Sequence, residues 1–178
     1  LSAQKYNVFI AHATPTSPTQ GTFTISRTCT AAPPANDECA AATNLPCATT
    51  DLPGTTVNTV SEPAPFNDAS DYGVWYEFTG DGLMNHILAT GEPGFDIEMT
   101  IVTGTCSSYS LVTSQNATGT GGTETYLFYP ANGTQYYVYI AYQGTGGSSS
   151  QTGTFTISRV CYPIPANDEC SGATNLPC

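Results

Sequence analysis

Charge is what this sequence has least of. Only 10% of its 178 residues are charged, with 3 basic against 14 acidic and a formal net charge of −11. Binding a nucleic-acid backbone needs a basic patch, so a general nucleic-acid partner is excluded. The same deficit argues against docking on an anionic membrane surface. No apolar run approaches the roughly 18–20 residues that span a bilayer, so no membrane insertion is expected. Histidine is limited to His12 and His86. There is no Gly-x-Ser-x-Gly elbow and no Cys-x-x-Cys pair, which leaves neither a nucleophile elbow nor a zinc pattern. No catalytic residue is assigned, and the chain is expected not to be an enzyme. Lysine occurs once, at Lys5, so Lys–Asn isopeptide crosslinks have no donor through the rest of the chain. Sustained helical periodicity is also missing.

What the chain has is a repeat. Residues 21–29 read GTFTISRTC and residues 153–161 read GTFTISRVC; PANDEC occurs at 34–39 and 165–170, and ATNLPC at 42–47 and 173–178. The segment from Tyr6 to Ala11 echoes Tyr136 to Ala141. The chain is therefore about 1.4 copies of a unit of about 131 residues, and repeats of this size mark arrays. The expected organisation follows from that offset. Residues 1–28 are the last two strands of a preceding repeat, or strands donated to a neighbouring subunit. Residues 29–35 are a stiff Pro-rich linker, 36–160 a complete domain, 161–165 a second linker and 166–178 the start of the next repeat.

The repeat also rationalises seven cysteines. Each copy carries four, and Cys29 is the equivalent of Cys161. The pairs expected are Cys39 with Cys47, Cys106 with Cys161, and Cys170 with Cys178, out of three pairings that four cysteines allow. Disulfides imply an oxidising, extracellular compartment. The sequons at Asn116 and Asn132 fit that location and are candidate glycosylation sites.

Period-2 segments bounded by Gly-rich turns predict strands over 54–61, 73–80, 84–90, 95–103, 109–114, 123–129, 135–143 and 153–160. One helical turn is expected near Ala40 to Ala42. Eight strands at this spacing predict an all-β fold, a Greek-key or jelly-roll β-sandwich.

Three clusters are candidate sites. Asn36, Asp37 and Glu38, joined by Asp96, offer hard oxygen ligands for calcium, with capping and linker hydrogen bonding as the other reading. Trp75 and Tyr137 lead an aromatic set able to stack on a sugar, with core packing as the other reading. Asp96 and Glu98 share one strand face and read as a solvated outer face rather than an acid–base pair.

These motifs resemble the PANDEC-type tandem β-sandwich domains, CUB-like or pre-peptidase-like, of secreted surface proteins from Bacteroidota-like bacteria. The resemblance rests on both PANDEC segments, on Gly73 to Phe78 (GVWYEF), on Phe95 through Cys106, and on Gln135 to Ile140 with Gly153 to Ile157. It implies a secreted, surface-attached structural or adhesive module with no general catalytic residue. Members often carry a second cysteine soon after the Gly-Thr-Cys element, and Ser110 to Asn116 contain none. The expected function is a structural repeat unit of an extracellular bacterial filament or giant surface adhesin, joined head to tail to copies of itself. The alternative is a carbohydrate-binding module of a secreted protein, with surface glycans as partner. No cofactor is required on either reading; calcium and covalent glycans are the candidates.

Overall fold

Strict alternation of apolar and polar side chains commits a segment to bury one face, and the glycine-rich turns set the lengths. The computed structural model describes residues 5–11, 21–29, 31–61, 69–143, 151–165, 167, 172 and 175. It divides the chain into two units, Leu1–Thr30 and Ala31–Cys178.

Among the described residues, the second unit forms nine strands. They are β1 (Thr43–Asn44), β2 (Thr49–Thr55), β3 (Ala69–Thr79), β4 (Met84–Gly91), β5 (Ile97–Thr105), β6 (Ser108–Gln115), β7 (Thr123–Phe128), β8 (Gln135–Gln143) and β9 (Thr154–Tyr162). Two sheets result, ordered β1-β3-β8-β5-β6 and β2-β9-β4-β7. Every pairing is antiparallel except β1 with β3. Set β1 aside, and the order is that of an eight-stranded jelly roll, in which the chain changes sheet at every connection but β5–β6.

The core lies between the sheets. Val74, Tyr76 and Phe78 of β3, Ile97, Met99 and Ile101 of β5, and Val138 and Ile140 of β8 meet Ile87 and Ala89 of β4 and Phe155 and Ile157 of β9. Strand β4 follows the one-face rule, alternating half-buried and buried along its length. Strand β5 does not: Ile97 through Val102 are all buried. The five-stranded sheet is therefore covered on its outer side as well, and a second apolar cluster of Cys39, Trp75, Val102, Tyr139 and Ala141 lies there. Glu98, expected on a wet face, is 1% exposed and accepts a 2.6 Å hydrogen bond from the Ser114 hydroxyl.

Two strand expectations need correction. The strand expected over 54–61 shares only Gly54 and Thr55 with β2, which starts at Thr49 and ends at Thr55, because Thr56 to Thr59 close a turn through Thr59 N–H to the Thr56 carbonyl. Its Asp-Leu-Pro-Gly sequence reads as a turn, yet Pro53 is tolerated because β2 is an edge strand. Strand β1 has two residues, too few for any periodic signal. The helical turn is present as a 3-10 turn at Cys39–Ala41. Strand β9 runs on to Tyr162, so Cys161 belongs to a strand rather than to the linker expected at 161–165.

In the first unit, the described residues 5–11 and 21–29 carry no assigned strand, and all are exposed.

Candidate functional site

The PANDEC segment works as a clasp on the outer side of the five-stranded sheet. Asn36 is fastened to Trp75 at two points: its carbonyl accepts from the Trp75 N–H at 2.9 Å, and its Nδ2 donates to the Trp75 carbonyl at 2.9 Å. Both Asp37 carboxylate oxygens face the Val60 N–H, at 3.1 and 3.2 Å. Burial pushes the Asp37 carboxyl above its ordinary value; the Val60 N–H opposes this and nearby Glu38 adds to it. Glu38 stands at the N-cap of the 3-10 turn but its side chain makes no cap bond. Cys39 then ties the turn to the end of β5 through Cys106, with Cα atoms 5.6 Å apart.

Beneath the clasp lies Trp75, with no exposed surface. Its ring stacks on Tyr109 at 5.3 Å and 17°, tilts against Tyr139 at 4.6 Å, and meets the edge of half-buried Tyr137 at 6.4 Å. Gly73 makes the arrangement possible, since a Cβ there would lie 2.2 Å from the Tyr139 ring. The sugar-stacking role expected for Trp75 is thus corrected: the protein's own rings occupy the face that a sugar would need. Tyr109, absent from that expected set, supplies the stacking partner. Its signal was weak, one tyrosine in a run of Ser and Thr.

The structure does not bring the whole expected calcium set together. Asn36 gives its main-chain carbonyl and its Nδ2 to the Trp75 backbone, and both Asp37 oxygens face the Val60 N–H. Trp75 registers with Tyr139 and Tyr139 with Thr100. Asp96 is therefore two strands across and four residues along from the partner of Asn36, about 16 Å at ordinary strand spacings, too far to share an ion.

The disulfides differ from the expected pairs. They join Cys39 to Cys106 and Cys47 to Cys161. The reason is the layering. The extended β1 carries Cys47 away from Cys39, off the five-stranded sheet and against β9 of the other sheet. Cys106 directly follows β5 and Cys161 lies in β9, and these two strands are in opposite sheets. Cys170 and Cys178 lie outside the described residues.

The Cys47–Cys161 bridge stands beside a buried cation that the sequence reading missed. Arg159 is 3% exposed. It pairs with Asp81 at 2.9 Å, donates through Nε to Asn85 Oδ1 at 2.6 Å and through Nη1 to the Leu45 carbonyl at 2.9 Å, and lies 4.0 Å over the Phe78 ring. Burial lowers its pKa, and Asp81 offsets part of that. A signal was available: Phe155, Ile157 and Arg159 are two apart, so the arginine had to face the core. Among the described residues, Cys47, Asp81 and Cys161 also form the one group of metal-ligating side chains. The two sulfurs are bonded to each other, so no thiolate remains to hold an ion.

A cleft of about 360 Å³ opens between the edge strands β1 and β2, lined by Pro34, Asn36, Leu52, Pro53, Tyr76 and four other residues, none of them a carboxylate, imidazole or thiol. Burial raises the Tyr76 hydroxyl to about 12, so it stays protonated near neutral pH. This is a lining for packing and hydrogen bonding, not for proton transfer. Asn116 and Asn132 are both exposed, on the β6–β7 and β7–β8 connections. The first sequon is anchored by buried Glu124, which accepts from the Ala117 and Thr118 N–H groups and the Thr118 hydroxyl.

The fold and site together define an all-β jelly-roll module whose N-terminal clasp is locked by disulfides. No protein-family model and no curated protein matches the chain. Solved structures similar to it include two of low identity. One is the pre-peptidase C-terminal domain of collagenase from Bacillus anthracis, 18% identical, with a TM-score of 0.45, covering 66% of this chain and 93% of that one. The other is Aeromonas hydrophila PliG, a periplasmic lysozyme inhibitor of g-type lysozyme, 9% identical, with a TM-score of 0.43, covering 67% and 96%. At that level of similarity neither transfers a ligand or an activity to this chain.

Proposed function

We propose that this chain is a non-catalytic structural repeat of an extracellular filament or surface adhesin, joined head to tail to copies of the same jelly roll. One observation carries the reading. The PANDEC clasp that opens this sandwich recurs at Pro165 to Cys170, just after β9 ends at Tyr162. A segment whose role is to cover the outer sheet of the sandwich that follows it is set to do so again. The short Pro163-Ile164-Pro165 spacer leaves little slack between neighbours. Each unit resists extension because its bridges span 67 and 114 residues. The two disulfides among the described residues support an oxidising compartment outside the cytosol. No helix among the described residues is long and apolar enough to cross a membrane. The exposed Asn116 and Asn132 are where glycans would be carried. The carbohydrate-binding reading loses its anchor with the burial of Trp75.

The test is the mass of the native polypeptide after reduction, denaturation and removal of glycans. A species far heavier than a chain of 178 residues is expected, together with filaments in electron micrographs. A species of only that length sinks the covalent array.

A further inference from the structure

We infer that residues 6–11 and 21–29 are the eighth and ninth strands of a second jelly roll of this type, one at the centre of each of its sheets. The tandem reading above bears on this only for where that second sandwich comes from.

The two copies of the strand pair are matched residue by residue. Val8, Phe9, Ile10 and Ala11 correspond to Val138, Tyr139, Ile140 and Ala141 of β8, and residues 21–27 are identical to 153–159. In the second unit Val138, Tyr139, Ile140, Ala141 and Ile157 have no exposed surface, and Phe155 has 2%. In the first unit Val8 is 73% exposed, Phe9 90%, Ile10 45%, Phe23 65% and Ile25 59%. So much apolar surface in so short a segment marks a docking element.

The surroundings of β8 and β9 define what it docks into. Strand β8 lies between β3 and β5, and β9 between β2 and β4. The acceptor therefore presents two sheets, each with a central strand missing and with backbone N–H and C=O groups facing the gap. Arg27 occupies the place of Arg159 and needs a carboxylate, an amide oxygen and a backbone carbonyl there. Cys29, a free and exposed thiol here, occupies the place of Cys161 and needs the cysteine that follows the acceptor's first strand. This sandwich cannot be that acceptor. Its Asp81 and Asn85 already hold Arg159, and its Cys47 is already bonded to Cys161. Closing the new bridge takes one proton from each thiol. Two electrons pass to the disulfide of an exchange partner, which leaves as a dithiol.

Hydrogen exchange on the native assembly, with peptide mapping with and without reductant, tests the inference. Residues 6–11 and 21–27 are expected to exchange as slowly as 136–141 and 153–159. The Cys29 peptide is expected to travel with a second cysteine peptide until reductant is added. Fast exchange in either segment, or alkylation of Cys29 without reductant, overturns it. The reduced mass separates this inference from the array. Slow exchange in a chain of only 178 residues keeps strand insertion and sinks the covalent array, whereas a far heavier species with fast exchange does the reverse.

Discussion

The sequence Gly-Thr-Phe-Thr-Ile-Ser-Arg occurs twice, at 21–27 and 153–159, with opposite fates. At 153–159 it is the greater part of β9, with Phe155, Ile157 and Arg159 buried. At 21–27 it carries no strand and is exposed. Identical segments cannot differ in intrinsic propensity. What differs is the presence of β2 and β4 on either side, and of Cys47, Asp81 and Asn85 across the gap. Strand propensity is a fitness for a half-buried surface, and without the surface it has no effect.

The largest expected effect comes from breaking the bridge that only the second copy makes. Replacing Cys47 and Cys161 with Ser removes a crosslink across 114 residues, which on the chain-entropy model is worth about 4–5 kcal/mol. An unfolding free energy from urea titration lowered by less than a quarter of that would mean that the bridge adds little. Next come matched substitutions at the two copies. Phe155→Ala should cost about 3–5 kcal/mol as a core truncation. Phe23→Ala in the isolated chain, with no acceptor sandwich present, should leave the midpoint where it is, and equal losses at both positions would show that the two copies are packed alike. Arg159→Ala should cost about 3–5 kcal/mol, because it empties a buried site and leaves the buried Asn85 Oδ1 and Leu45 carbonyl without their donor. Arg27→Ala should cost nothing measurable until the first unit finds its acceptor, and thermal melts of both variants would settle it. Within the sandwich, Gly73→Ala sets a Cβ against the Tyr139 ring and should cost about 1–3 kcal/mol, visible as loss of near-ultraviolet signal from Trp75.

The smallest effect is a pH dependence. The folded state raises the Asp37 carboxyl above its ordinary 3.8, chiefly by burial. The native state then holds this proton more tightly than the unfolded state. Its contribution to stability therefore falls as pH rises from about 3.8 through the folded value and is constant beyond it. Asp37→Asn should remove that slope while keeping an oxygen for the Val60 N–H. Urea midpoints from pH 3 to 7 for both proteins give the difference, which should favour the wild type more at the acid end. A difference that grows in the other direction would show that the Val60 bond outweighs burial.

Much of the sandwich is legible because it is written in period 2. Strands β3 to β9 are expected within a few residues of where they lie, and the jelly roll follows from their number and spacing. The misses have physical reasons. Strand β2 carries a Pro-Gly pair that local rules assign to a turn, and only an edge position lets a strand keep it. The two faces of β5 cannot be told apart along the chain, because a covered outer face depends on a clasp that lies far upstream of it. Trp75 suits stacking on a sugar as well as packing inside, and the choice falls to Tyr109 and Cys39 reaching it from distant segments.

Reading along the chain is enough to find the repeat, the strand-forming segments and the scarcity of charge, because each is local or countable. Which cysteines meet, that Arg159 has a carboxylate waiting, and that Trp75 is sealed were settled by packing alone. Those depend on which sheet each segment enters, and a jelly roll sends neighbours in sequence to opposite layers.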